Sequence, residues 1–205
     1  MPLSLEEGRR AVELARSALD SHVTSRRLGK PAEGGVFSEL RGVFVTINRE
    51  TGAEERLRGC IGFPYPVKPL GVAIQEASVA AASEDPRFPP VGKDELDSLV
   101  VEVSVLTRPE VVVSSPRELP EKVRVGVDGL IVSRFGSSGL LLPQVATEYG
   151  MDSTEFLSQA CMKAGLPPDS WLDKGTQVQT FQAEVFAETS PRGEVRRELG
   201  EPLKD

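Results

Sequence analysis

The stretch on which the fold depends is Leu57-Arg58-Gly59-Cys60-Ile61-Gly62, continued by Phe63-Pro64-Tyr65-Pro66. A glycine inside a strand usually marks a bulge, a tight bend or a place where another group approaches the backbone closely. Here two glycines lie on either side of Cys60 and Ile61, and Arg58 precedes them. We therefore expect a thiol, a guanidinium and exposed amides to meet in this Leu57–Gly62 motif, and we expect the motif to form part of a functional site.

The motif is predicted to lie on the second strand of a hairpin. Residues 42–48 are rich in β-branched and aromatic side chains, which favours a strand, and residues 48–52 have the turn chemistry that leads back into residues 55–62. Pro69 can open the next helix, because its missing N–H is not needed in the first turn. That helix is predicted over residues 70–83, and Asp85-Pro86 ends it, because a residue before proline avoids the helical region.

The rest of the pattern predicts helices and hairpins that do not alternate regularly. Capped helices are expected from Ser4 to about Ser21 and from Asp152 to Gly165. Further strands are predicted at residues 99–106, 111–113, 123–125, 130–135, 140–142 and 178–188. Because hairpins predominate, we predict an α+β fold with a mainly antiparallel sheet, flanking helices, and one large and one small subdomain. The chain 1–205 is predicted to be one domain with a core at about 36–188, a smaller lobe at about 109–142 and a charged tail at 190–205.

Composition limits the classes of function. With 39% apolar and 27% charged residues, the 205-residue chain has the composition of a soluble globular protein. No segment approaches the roughly 18 apolar residues of a membrane span, and the first residues are acidic, which is the wrong sign for a signal peptide. We therefore predict a cytoplasmic protein without a membrane partner. The net charge of −7 makes nucleic-acid binding the least favoured function, because such a field repels phosphate backbones.

Few residues are available as metal ligands or as a catalytic base. The chain has two cysteines, Cys60 and Cys161, and one histidine, His22, and it contains neither CxxC nor HExxH. A zinc site built from cysteine and histidine therefore lacks ligands, and we predict no metal site. Both cysteines are predicted to be free thiols, with Cys161 packed in a core. His22 lies near the end of the first helix and is assigned no catalytic role.

The chemistry of Cys60 has two explanations. As a nucleophile or thiol carrier it would need a pKa lowered from about 8.5 into the range of roughly 3.5–7.5 by nearby cations or a helix N-terminus. Arg58, Arg87 and the helix that starts near Pro69 are the candidates, and in a regular strand Arg58 and Cys60 share a face unless a glycine bulge intervenes. In the other explanation Cys60 is a small buried apolar residue, and its glycines permit tight helix packing.

A cysteine enzyme also needs a general base. Glu102, Asp85 or a carboxylate of the substrate would have to serve, although the alternation of its strand favours Glu102 as a solvated residue on the outer face of the sheet. Arg87 can bind a carboxylate or phosphate through two N–H groups of its guanidinium, or it can pair with Asp85 and stabilise a bend in the chain. Gln144 can bind a ligand, or it can form hydrogen bonds with the polar groups of a loop.

A set of sequence blocks carries a resemblance to a known family. In order they are residues 57–62, Asp85-Pro86-Arg87-Phe88, Glu102-Val103-Ser104-Val105-Leu106, Asp128-Gly129-Leu130-Ile131, Leu141-Leu142-Pro143-Gln144-Val145-Ala146, and Phe156-Leu157 with Cys161 and Lys163-Ala164-Gly165-Leu166-Pro167. Together they resemble the AMMECR domain family, named after a human chromosomal region linked to Alport syndrome with elliptocytosis, over about residues 36–188. Met151 departs from the tryptophan expected before the acidic residue.

The resemblance implies an α+β fold of two unequal subdomains, with the Leu57–Gly62 motif facing a cleft. It supplies no reaction and no cofactor. Related domains occur beside, or fused with, Memo-like proteins and radical S-adenosylmethionine proteins, which implies such a protein as a partner in a shared pathway.

Two functional hypotheses follow. In the first, the chain binds a small anionic ligand or substrate and carries out thiol-dependent chemistry at Cys60 with Glu102; the predicted ligand contacts are Arg58, Gly59, Gly62, Asp85, Arg87 and Gln144. In the second, it is a regulatory or protein-interaction module that receives a peptide or a Memo-like partner. An exposed apolar rim around Phe63, Tyr65 and Phe88 would favour the second hypothesis, and a closed polar pocket around Cys60 would favour the first.

Overall fold

The computed structural model describes residues 2–51 and 54–199. In chain order the helices are α1 Leu5–Ser25, α2 Leu70–Ser83, α3 Leu119–Lys122, α4 Pro143–Glu148 and α5 Ser153–Lys163. The strands are β1 Gly42–Thr51, β2 Glu54–Phe63, β3 Leu99–Leu106, β4 Glu110–Val111, β5 Gly129–Arg134, β6 Ser137–Leu141, β7 Gln177–Phe181, β8 Ala183–Glu188 and β9 Val195–Leu199. The fold is α+β with antiparallel strand pairs, as predicted. Within the described residues no helix has the length and apolar character needed to cross a bilayer.

The chain forms two compact units. The first comprises the residues up to Leu106 and those from Glu184 onward, and the second runs from Thr107 to Ala183. The second unit thus extends well beyond the smaller lobe that the sequence predicts at about 109–142.

The first unit contains a five-stranded sheet in the order β2-β1-β3-β8-β9, with α1 and α2 packed on it. Val101, Val103 and Val105 of β3 alternate onto the core side with almost no exposure. Alanines on both helices keep the helix axes close, and Ser78 Oγ of α2 donates to Ala15 O of α1 at 2.7 Å. Ser4 caps α1 with the predicted capping box. The opposite side of β1 and β3 carries the polar residues of the candidate site.

A buried ion pair joins α1 to the returning strand β8. Arg16 Nε donates to Glu188 Oε1 at 2.9 Å, and Arg16 Nη2 pairs with Glu188 Oε2. The N–H of Val101 also donates to Glu188 Oε2, at 3.0 Å. Because both residues are more than nine-tenths buried, each charge needs the other, which fixes β8 beside β3 beneath α1.

The second unit has a four-stranded sheet in the order β4-β7-β5-β6. Its core includes Leu130, Val132, Phe156, Leu157 and Cys161, and Cys161 is fully buried as predicted. Asp152 caps α5 through its side chain. A Cβ at Gly139 would lie 2.3 Å from Ala164 N, so this glycine lets the end of α5 lie directly on β6.

Three sequence predictions need correction. The strand predicted over residues 178–188 is two strands in two different sheets, β7 and β8, with Gln182 between them. The strand predicted at residues 123–125 is a turn, because Asp128 accepts hydrogen bonds from the backbone and side chain of Arg124. The charged tail predicted at 190–205 contains β9. The hairpin turn predicted at residues 48–52 falls partly outside the described residues, since β1 continues to Thr51.

Candidate functional site

A β-bulge in β2 decides which way Cys60 faces. The register with β1 pairs Thr51 with Glu54 and Asn48 with Leu57, but then pairs Ile47 with Gly59, so that Arg58 is the extra residue. An unbroken register would place Gly59 opposite Thr46 and Cys60 opposite the core residue Val45. The bulge shifts the strand by one residue and places Cys60 opposite Thr46 instead.

Gly59 is required by the close approach of α2. A Cβ at this position would lie 2.1 Å from Ala81 O in the last turn of the helix. Gly62 is required for a similar reason, because a Cβ at this position would lie 2.2 Å from Val43 O and 2.5 Å from the ring of Phe44. Both glycines are therefore explained by packing within the first unit. Their predicted contact with a ligand stays a prediction.

Asp85 organises the surroundings of Cys60. Its Oδ2 accepts from the N–H of Cys60 at 2.9 Å and from Arg87 Nη2 at 2.7 Å, and its Oδ1 accepts from the N–H and the Nε of Arg87 at 3.1 and 2.9 Å. These bonds hold the pKa of Asp85 well below its usual range, with the Arg87 side chain as the largest cause. Because β2 is an edge strand, the carboxylate also satisfies a backbone donor that would otherwise be unpaired.

Arg87 is oriented but remains accessible. Its side chain is 50% exposed, whereas that of Asp85 is 2% exposed. Nη2 also lies 3.5 Å from Cys60 O, so the guanidinium sits directly beside the cysteine. Nε and Nη2 face Asp85, which leaves Nη1 as the outward edge of the fork.

Arg58 is committed to the chain itself. Its guanidinium donates to both carboxylate oxygens of Glu95, at 2.8 and 2.9 Å, and to the carbonyls of Pro89 and Pro90 at 2.9 and 3.3 Å. A guanidinium has five N–H donors, so these four bonds leave at most one. The side chain is 9% exposed. Arg58 thus holds the segment after α2 against β2.

The thiol of Cys60 is partly buried. Thr46 Oγ1 donates to Sγ at 3.4 Å. Burial raises the pKa of Cys60 above its ordinary value of 9.0, and Glu102 and Asp85 add to the rise, while Thr46 and Arg87 oppose it. This direction is opposite to the lowering that an activated nucleophile needs. The predicted help from a helix N-terminus is wrong, because the last turn of α2, with its partial negative charge, lies beside Gly59.

Glu102 lies in the same row of the sheet as the thiol. Thr46 is the Cα partner of Cys60 on β2 and of Glu102 on β3, so Cys60, Thr46 and Glu102 cross three adjacent strands on one face. Ser104 is in the next row, opposite Phe44, and its buried hydroxyl has no hydrogen-bond partner within residues 2–51 and 54–199. The structure therefore brings together Cys60, Glu102, Asp85 and Arg87 of the predicted residues.

Gln144 belongs to the second unit, near the start of α4. Its Oε1 is buried and, as far as the described residues extend, accepts no hydrogen bond. In the same part of the chain, no group of three or more His, Cys, Asp or Glu side chains is placed to hold a metal ion.

Thr46 and Glu95 are the residues of this site that sequence reasoning missed. Thr46 donates to the thiol and Glu95 holds Arg58. The alternation of β1 is enough to predict that Thr46 lies on the polar face. Its contact with Cys60 could not be predicted in the same way, because that contact depends on the bulge in β2. Nothing in the sequence around Glu95 predicts its contact with Arg58, because the two residues are 37 positions apart.

Comparison with known proteins identifies the family. The AMMECR1 family model matches residues 12–186, which is most of the chain and includes the whole Leu57–Gly62 motif. The chain belongs to the AMMECR1 family. This confirms the resemblance stated above.

AMMECR1-family relatives match almost the full length. A protein of Thermococcus gammatolerans is 54% identical over 195 residues, covering 94% of this chain and 95% of that protein. Protein MJ0810 of Methanocaldococcus jannaschii is 48% identical over 194 residues, covering 94% of this chain and 96% of that protein. The crystal structure of the uncharacterized protein PH0010 from Pyrococcus horikoshii is 49% identical in sequence and has a TM-score of 0.90, covering 94% of this chain and 97% of that one.

Proposed function

We propose that this AMMECR1-family chain binds a small anionic ligand beside Cys60, with Arg87 as its principal anion contact. One observation carries the proposal: a buried aspartate fixes a half-exposed guanidinium next to the cysteine. A pre-oriented fork loses less side-chain entropy when it takes up a carboxylate or phosphate. Asp85 is then a positioning residue, and Arg58 supports the segment after α2.

The thiol is proposed to act as a neutral hydrogen-bonding group at neutral pH. Its raised pKa leaves little thiolate, and the thiolate is the reacting form. Thiol-dependent chemistry would need proton removal from Cys60, and Glu102, in the same row, is the base proposed for that step. Binding therefore has more support than covalent catalysis.

A pair of alkylating reagents tests the anion site. Iodoacetate is an anion and iodoacetamide is neutral, so the ratio of their rates at Cys60, divided by the same ratio for glutathione, reports local anion attraction. We expect a normalised ratio well above one in the parent protein, falling by roughly tenfold in Arg87→Gln. Both rates should still be rising with pH above 9.0, because burial raises the thiol pKa. Arg56→Gln, at an exposed arginine of the same strand, should leave the ratio unchanged.

Protection and folding controls complete the test. At constant ionic strength, inorganic phosphate or malonate should slow the alkylation of Cys60 in the parent but not in Arg87→Gln, with thermal melts showing that the variant is folded. A normalised ratio near one without protection would overturn the proposal. So would a Cys60 that neither reagent labels in the native protein.

A protein-interaction module is the second candidate function. Leu40, Tyr65 and Val67 are 56%, 42% and 66% exposed. Leu40 lies beside the end of the loop that carries the other two, because it bridges to Pro69 and the N–H of Arg41 donates to Lys68 O. Within that loop the N–H of Val67 donates to Tyr65 O at 2.9 Å. Phe63 and Phe88 are only partly exposed and lie against cations. Of the expected rim residues Tyr65 is exposed, and Leu40 and Val67 are exposed in place of the two phenylalanines. The family resemblance implies a Memo-like protein as the partner, and a pull-down tests whether it binds here. Tyr65→Ser and Val67→Ser should each weaken the binding. If both variants still bind the Memo-like protein, this surface is not its binding site.

A further inference from the structure

A second arginine in this chain is held by a buried aspartate in the same manner as Arg87. In the second unit, Arg124 donates from Nε and Nη2 to the two oxygens of Asp128 at 3.0 and 2.7 Å, and its N–H donates to Asp128 Oδ2 at 3.0 Å. The side chain of Asp128 is 5% exposed and that of Arg124 is 62% exposed. The inner edge of the guanidinium is thus fixed, and Nη1 is presented outward.

Arg124 lines a cavity of about 320 Å³ together with Thr107, Arg108, Glu110, Asp128, Thr180, Phe181 and Gln182. This volume is within the range of small-ligand sites. Arg108 is exposed and, among residues 2–51 and 54–199, makes no ion pair. Both of its guanidinium edges are therefore open to a ligand.

Two hydroxyl groups add donors to the same cavity. Thr107 Oγ1 accepts from the N–H of Gln182 at 2.8 Å, and an acceptor role leaves its own hydrogen available. Thr180 contributes the second hydroxyl, on the strand next to β4. The donor set is therefore two guanidinium groups and two hydroxyls.

We propose that this cavity binds a phosphate group, either as free phosphate or on a small metabolite. A carboxylate is satisfied by one arginine fork, whereas four donors from separate residues suit the several oxygens and higher charge of a phosphate. The carboxylate of Asp128 is already used by Arg124. Glu110 is the one lining acid without such a partner among the described residues, and its charge opposes the anion. The site uses none of the groups around Cys60 and does not depend on the function proposed there.

Titration of the 205-residue chain by isothermal calorimetry tests this site. Inorganic phosphate and phenyl phosphate are the probes, at constant ionic strength, in an Arg87→Gln background that removes the anion site proposed at Cys60. We expect one bound phosphate per chain for at least one probe. Affinity should fall roughly tenfold in Arg108→Gln and in Arg124→Gln, should rise in Glu110→Gln, and should not change in Arg117→Gln, at another exposed arginine of the same unit.

Arg108→Gln keeps the test decisive if Arg124→Gln is unstable, because Arg108 makes no ion pair with any residue that the structure describes. The proposal is overturned if neither probe binds, if Arg108→Gln and Glu110→Gln leave the affinity unchanged, or if malonate binds as tightly as phosphate.

Discussion

Asp85 is a carboxylate that is nearly inaccessible to solvent and accepts four hydrogen bonds. One comes from the edge of β2 and three come from Arg87. This one residue both closes a sheet edge and orients the cation of the candidate site. Stability and ligand binding are therefore expected to depend on the same group.

We predict that Asp85→Asn lowers the free energy of unfolding by about 1.5–3 kcal/mol at neutral pH, because hydrogen bonds to a charged acceptor are lost. The folded-state pKa of Asp85 is depressed, so its contribution is fully present above the unfolded-state value of about 3.9 and is lost as pH falls. The difference in the free energy of unfolding between the parent and Asp85→Asn should therefore narrow by about 1.4 kcal/mol per pH unit below about pH 4.

Urea unfolding at a series of pH values measures this difference directly. Asp94→Asn, at an exposed aspartate, is the matched control and should stay within about 0.5 kcal/mol of the parent at each pH. A difference for Asp85→Asn that is the same at pH 7 and pH 3 would show that the carboxylate is not held in its ionised form.

At the scale of elements, the contact between α2 and β2 is made through backbone atoms. Gly59→Ala would place a Cβ 2.1 Å from a helix carbonyl oxygen that is itself part of the last turn. Since backbone rather than a flexible side chain must move, we predict a loss of about 1–3 kcal/mol in the free energy of unfolding.

Gly29→Ala provides the comparison for Gly59→Ala. A Cβ at Gly29 meets nothing within 4 Å, so Gly29→Ala should be neutral or stabilising by up to about 1 kcal/mol. Equal effects of the two substitutions in chemical unfolding would disprove the packing explanation for Gly59.

The elements that sequence analysis predicted correctly are those whose signal is local. Strand β3 and helix α2 have strong patterns and clear ends, and they lie at residues 99–106 and 70–83 as predicted. The break at Gln182 has no such signal, because the apolar alternation continues through it while the chain passes from one sheet to the other. The turn at residues 124–128 depends on a carboxylate contact that propensities do not contain.

The candidate site, too, could be predicted from the sequence only where its contacts are local. Asp85 and Arg87 are two positions apart, so their pairing could be proposed from sequence, and the structure contains it. The face on which Cys60 lies depends on the bulge at Arg58, and a one-residue shift in register moves a side chain to the other side of a sheet. The commitment of Arg58 to Glu95 is a long-range contact that only the folded chain shows.

At the scale of the whole molecule, the two units differ in how the chain builds them. The second unit is one continuous segment with its own sheet and core. The first unit is completed only when β8 and β9 return. Phe186 fills the space beside Gly8, where a Cβ would lie 2.1 Å from the ring, and Glu188 neutralises the buried Arg16. A chain of residues 1–106 lacks both groups, and an unpaired buried charge costs about 3–5 kcal/mol.

We therefore predict that residues 107–183 fold alone with a cooperative thermal transition, and that residues 1–106 do not. The N–H of Thr107 donates to Gln182 O at 2.9 Å, so the chain enters and leaves the second unit at neighbouring points. A short Gly/Ser linker joining residues 1–106 to 184–199 should then restore cooperative folding of the first unit, because β8 returns with Phe186 and Glu188. Circular dichroism and urea unfolding of the three chains measure this. If residues 1–106 fold cooperatively without β8, the buried Arg16–Glu188 pair is not what completes the first unit.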